Sequence, residues 1–134
     1  MIYSFEIAIA ANTAEAAAQE TAIKLAPGKV TRVEVLFPGG CAGLVHARIL
    51  RGAQQLWPSN PSSNFSGDGE VISIDEEYDM IESGYELTAK TWNDDDTFAH
   101  TIQIRLGVTR IETPVNPYAL VNLPRQQIER LMNE

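Results

Sequence analysis

Ile102, Ile104, Leu106 and Val108 alternate with Thr101, Gln103, Arg105 and Gly107. A spacing of two places every apolar side chain on one side of an extended strand and on no single side of a helix, so this run predicts a half-buried strand starting at His100. The same period recurs along the chain. Tyr3, Phe5, Ile7 and Ile9 alternate with Ser4, Glu6 and Ala8, and Thr21, Ile23 and Leu25 follow the same rule. Val45, Ala47 and Ile49 face away from His46, Arg48 and Leu50, and Tyr85, Leu87 and Ala89 fall in phase before Trp92. Val30 to Phe37 and the short group Val71, Ile72 and Ile74 are rich in β-branched residues, which favour strands. Turn chemistry separates these runs at Ala26-Pro27-Gly28, Pro38-Gly39-Gly40, Gly52 and Asn93-Asp94-Asp95-Asp96. The chain therefore reads as about seven or eight short strands.

Strands without an alternation of strand and helix predict an antiparallel all-β sandwich or barrel. Among sandwiches the expectation is a jelly-roll-like β-sandwich over residues 1–112. Gln54 to Gly69 lacks periodicity and is filled with Pro58, Asn60, Pro61, Ser62, Ser63, Asn64, Ser66 and Gly67, so it reads as a long crossover loop. The link from Trp92 to Phe98 is short and hairpin-like. Both suit Greek-key connections. Ala14 to Ala18 has the composition of a helical turn.

After Arg110 the pattern changes. Thr113-Pro114-Val115-Asn116-Pro117-Tyr118 is extended and punctuated by proline, so residues 113–134 are predicted to form a C-terminal arm ending in a short helix. Pro124 near a first turn, with Ile128, Leu131 and Met132 at i, i+3 and i+4, gives that helix an apolar stripe. Roughly ten residues do not hold a helix alone in water, so the stripe must dock on its own sandwich or on a neighbour.

Composition narrows the function classes. With 134 residues the chain is long enough to bury a core without metals or disulfides. Its one cysteine, Cys41, has no internal partner, in keeping with a reducing compartment. Met1-Ile2-Tyr3-Ser4-Phe5-Glu6 lacks the basic and apolar regions of a signal peptide, and no apolar run reaches the ~18 residues of a membrane span. The expected place of synthesis is the cytoplasm, with no membrane partner. The net charge of −8 is concentrated: between Asp68 and Asp96 there are eleven acids against one base, Lys90, and the rest of the chain is slightly basic. Arginines are scattered at Arg32, Arg48, Arg51, Arg105, Arg110, Arg125 and Arg130, with no basic face for phosphates, so no direct contact with nucleic acid is expected.

Candidate chemistry is sparse. His46 and His100 lie on different strands and lack the His-x-His spacing of cupin metal sites, since position 48 is Arg48. Cys41 follows Gly39-Gly40 without a nucleophile motif and is expected to be a small buried side chain. Asp94, Asp95 and Asp96 are the candidate ligands for calcium, as is Asp68-Gly69-Glu70, although neither matches an EF-hand loop. Their alternative reading is a solvated turn. No other cofactor is expected. A glycosidase would need two carboxylates facing across a cleft, which spacing alone does not establish. Trp57 and Trp92 are the candidate sugar-stacking residues of a carbohydrate-binding sandwich, with core or loop-anchoring roles as the alternative.

Three segments carry a family resemblance. Pro27-Gly28-Lys29-Val30-Thr31-Arg32-Val33-Glu34-Val35, then Phe37-Pro38-Gly39-Gly40-Cys41-Ala42-Gly43-Leu44-Val45-His46, then Trp92-Asn93-Asp94-Asp95-Asp96-Thr97-Phe98-Ala99-His100-Thr101 stand in this order in a short all-β chain. In that arrangement the chain, over about residues 20 to 110, resembles the small jelly-roll structural proteins encoded among phage and virus-like genes. The resemblance implies a non-enzymatic capsid, decoration or neck-type accessory protein that self-associates, contacts other structural proteins and enters a virion. The C-terminal arm agrees with it: Ile128, Leu131 and Met132 would be the apolar anchors, and Arg125 and Arg130 would meet the acidic segment of another copy.

Overall fold

The alternating runs become strands in the computed structural model, which describes residues 1–80 and 84–110. They are β1 (Ile2–Ile9), β2 (Gln19–Lys24), β3 (Gly28–Phe37), β4 (Val45–Arg51), β5 (Gln54–Trp57), β6 (Phe65–Ser66), β7 (Glu70–Met80), β8 (Glu86–Asn93) and β9 (His100–Arg110). A single 3-10 turn, Glu15–Ala17, occupies the alanine-rich stretch. Among the described residues no helix is long and apolar enough to cross a membrane. The arm expected over 113–134, with Arg125, Ile128, Arg130, Leu131 and Met132, lies outside the described residues, as does the expected boundary after residue 112.

Two sheets face each other, one in the order β1-β9-β3-β7 and the other β2-β8-β4-β5, with β6 continuing along β4 beyond β5. Every strand pairing among the described residues is antiparallel. The pairs nest: β1 with β9, β2 with β8, β3 with β7, and β4 with β5 at the tip, as in one long hairpin. Wrapping that hairpin brings β3 beside β9 and β4 beside β8, which closes the two sheets. The inner faces meet as a dry core. Ile9, Val30, Phe37 and Ile104 from one sheet and Ile23, Val45, Ile49 and Leu87 from the other have no exposed surface. These are the residues whose period of two the sequence displays, because alternate side chains on a strand point to opposite faces.

Three local departures from the sequence expectation have physical causes. Residues 54–69 are only partly a loop: Gln54–Trp57 and Phe65–Ser66 pair with β4, and the Gln55 amide donates to the carbonyls of Pro58 (2.7 Å), Ser63 (3.1 Å) and Asn60 (3.2 Å), holding the turn between them. The short strand expected at Val71–Ile74 runs on to Met80, because β7 is an edge strand whose outer face can carry Asp75, Glu77 and Asp79 in water. In β3, the register slips between Val30 and Arg32, so the buried phase moves from Gly28 and Val30 to Val33, Val35 and Phe37. Gly28 starts this strand where a Cβ would stand 2.6 Å from the Thr109 carbonyl oxygen, so only glycine fits against β9 there.

Candidate functional site

Both histidines and several linked polar groups collect at the end of the sandwich where β8 turns into β9. Asn93 closes β8 on its inner face and is fully buried. Its amide donates to the carbonyls of Phe98 (2.9 Å) and Ile9 (3.4 Å), and its Oδ1 accepts from the Asp95 N–H (2.9 Å). Asp95 in turn accepts from the backbone N–H groups of Thr97 (2.9 Å) and Phe98 (3.1 Å), with His100 Nε2 2.8 Å from its other oxygen. Its carboxyl is held below the ordinary aspartate range, first by the His100 hydrogen bond and then by the Thr97 and Phe98 amides.

The second histidine reaches the same loop from β4. The register that pairs Val45 with Asn93 and His46 with Trp92 sets His46 beside Asp94. His46 Nε2 lies 2.9 Å from Asp94 Oδ2, and Nδ1 lies 2.7 Å from Asn64 Oδ1. Both ring nitrogens are thus engaged, one by the Asp94 carboxylate and the other by the Asn64 amide. The imidazole stacks on Trp92 at 5.2 Å between ring centroids, and the Arg48 guanidinium sits 4.8 Å from the same indole centroid. Arg48 also donates to Glu15 at 2.7 Å, so the 3-10 turn is tied over the outer face of this sheet.

A second cluster bridges the two sheets at the opposite edge. Trp57 ends β5, and its indole N–H donates to Glu76 Oε2 on β7 at 2.8 Å. The Tyr78 ring meets the indole edge-on at 5.7 Å, and Arg51 donates to the Tyr78 hydroxyl at 3.0 Å. The Glu76 carboxyl is lowered by the Glu77 amide first and by Trp57 second.

Within this geometry the sequence candidates separate. Trp57 and Trp92 are each only 2% exposed, so neither offers an open face for sugar stacking; both anchor structure instead. Asp94, Asp95 and Asp96 point to three different partners, His46, His100 and the Thr97 hydroxyl. Among the described residues no three His, Cys, Asp or Glu side chains converge as metal ligands. Cys41 is buried between β3 and β4, and its thiol is pushed up first by burial and then by the carboxylates of Asp68 and Asp95. A raised thiol is a poor nucleophile. Open clefts are present among the described residues. One of ≈ 510 Å³ lies at the β3 bulge beside Thr31, Asp75, Glu76 and Glu77, and one of ≈ 490 Å³ lies between Arg48, Gln55, Ser59 and Ser62.

Asn93, Asn64, Glu76 and Gln55 have structural roles that the sequence pattern does not single out. Only Asn93 leaves a trace, as an asparagine directly before three aspartates at a strand end, where side-chain capping of a turn is common. No protein-family model matches the chain, and no curated protein matches it.

Proposed function

We propose that this chain is a non-enzymatic structural protein: a jelly roll that self-associates inside a larger assembly, of the capsid, decoration or neck type found in virions. The observation that carries the reading is the nested strand order. First with last, second with next to last and so on, wrapped into β1-β9-β3-β7 against β2-β8-β4-β5, is the order that a double Greek key produces. That architecture serves shells and lectins alike, so the side chains must decide between roles. Here the groups with chemical capacity are bound to one another: His46 and His100 clamp Asp94 and Asp95, and Trp57 holds Glu76. Their geometry favours a rigid building block over a reactive or sugar-stacking surface. In this proposal residues 113–134 act as the arm, with Ile128, Leu131 and Met132 as anchors on another copy or another structural protein, and Arg125 and Arg130 facing acids. Light scattering of the full chain beside a truncation after Thr113 tests it. A mass above 14.7 kDa that falls on truncation is expected, and an identical monomer mass for both would overturn it.

A further inference from the structure

We propose that two copies of this chain pair through β1, edge to edge about a two-fold axis, so that their β1-β9-β3-β7 sheets become one continuous sheet. The inference rests on the self-association reading above and locates its contact; it does not use the arm.

β1 ends its sheet, and among the described residues nothing pairs with its other side. Its hydrogen-bonding pattern is set at Met1, whose amino group donates to the Val108 carbonyl (2.8 Å) while its carbonyl accepts from the Val108 N–H (2.7 Å). Bonded and non-bonded pairs alternate in an antiparallel ladder, so Tyr3, Phe5, Ile7 and Ile9 bond to β9, and Ile2, Ser4, Glu6 and Ala8 direct their N–H and C=O groups outward. Those outward groups form an open template. Natural edges are usually blunted by charge, proline, bulges or brevity. β7 follows that rule with Asp75, Glu77 and Asp79, and β2 has six residues including Glu20 and Lys24. β1 has eight residues in regular register, no proline and one charge, Glu6. Ile2 at its start is 76% exposed, and Tyr3 and Phe5 stay only half-buried against the core at the open side of the sandwich.

The strand is complementary to itself in one register. Opposed residues must share a face, so position numbers across the axis sum to an even number. A sum of ten sets Ile2 opposite the partner's Ala8 and Ser4 opposite the partner's Glu6, with the two Phe5 rings meeting at the axis. All the outward backbone groups then pair, giving roughly eight main-chain hydrogen bonds. A sum of twelve would oppose the two Glu6 carboxylates, which is unfavourable, and a sum of eight shortens the overlap. The acids of β7 do not oppose this contact. They lie three strand spacings away, about 14 Å, beyond the screening length of about 8 Å at physiological salt.

Sedimentation equilibrium of the full chain over a concentration series in 0.15 M salt tests the pairing. The expected result is a reversible association of at least two copies of the 14.7 kDa chain, of which the β1 pair survives truncation after Thr113. Ser4→Pro removes an N–H that points away from β9, so it should weaken the dimer at least about tenfold while leaving the urea midpoint of the fold in place. Two exposed-site variants keep the test alive should the proline disturb β1. Ser4→Lys should tighten the dimer, and Ser4→Glu should loosen it, each by about two- to thirtyfold from two symmetric pairs with Glu6. That difference should vanish in a Glu6→Gln background. A monomer mass throughout overturns both this pairing and the self-association reading, whatever segment then covers the edge. An assembly that none of the Ser4 variants shifts overturns β1 pairing alone.

Discussion

Replacing Asn93 by alanine isolates what one buried amide does for this sandwich. Asn93 is fully buried, and its side chain satisfies the carbonyls of Ile9 and Phe98 and the N–H of Asp95. The alanine variant removes all three bonds and strands the Phe98 carbonyl and the Asp95 N–H, while the Ile9 carbonyl keeps its ladder bond to β9. The Ile9 bond is fully buried, whereas the Phe98 and Asp95 groups are part-buried and can recover some hydration. The lost second bond to Ile9 costs about 0.5–1.5 kcal/mol and each stranded part-buried group about 1 kcal/mol, so the loss works out at about 2–4 kcal/mol. For a chain of this size that lowers the thermal midpoint by roughly 6–15 °C. Urea unfolding followed by tryptophan fluorescence and by circular dichroism measures it, with an unchanged m-value showing that the unfolded surface is the same. Asn93→Asp keeps the acceptor for the Asp95 N–H but turns a charge toward two carbonyls, and should unfold more easily than the alanine variant. A loss below about 1 kcal/mol for Asn93→Ala would refute the assignment of Asn93 as the anchor of the β8–β9 turn.

Three further outcomes follow from the geometry. Because Asp95 is held below the ordinary aspartate value near 3.9, its contribution is fully present above that pH and is lost as pH falls through the lower folded value. The urea midpoints of wild type and Asp95→Asn should therefore differ most near pH 6–7 and converge in acid below about pH 4; a gap that widens in acid contradicts this sign. The Cys41 thiol should resist alkylation by iodoacetamide at pH 8 in the folded protein and react once urea unfolds it, and rapid native labelling would be inconsistent with its burial. Gly28→Ala drives a methyl into the Thr109 carbonyl and Val108, at 2.6 and 2.7 Å, and should lower stability by about 1–3 kcal/mol, whereas Gly39→Ala, with open space around its Cβ, should change it by less than about 0.5 kcal/mol.

The strands that bury one full face are legible in the amino-acid pattern itself. Ile102, Ile104, Leu106 and Val108 are all buried, as are Val45, Ala47 and Ile49, because a two-residue period is a local property that survives whatever the strand pairs with. The second half of β7 is not legible in that way. Its inward residues after Ile74 are Glu76, Tyr78 and Met80, and Glu76 is acceptable there only because the Trp57 indole donates to it from the other sheet. An apolar pattern cannot anticipate a polar group whose partner comes from a different strand. The burial of Trp92 under His46 and Arg48 is hidden from the sequence for the same reason.

Taken alone, the sequence determined the extended segments that bury an apolar face and most of the turns between them, since backbone sterics and side-chain alternation act over a few residues. It also placed the negative charge between Asp68 and Asp96. Tertiary structure decided which strands lie side by side and hence which polar groups meet. His46 and Asp94 are 48 positions apart and touch only because β4 and β8 pair in the register that sets Val45 against Asn93. It also decided the sheet edges, leaving β1 with its outward backbone groups unpaired among the described residues while the acids went to β7 at the other side of the same sheet. Pairing is a long-range choice, made where two inner faces can bury each other, and no local pattern along the chain encodes it.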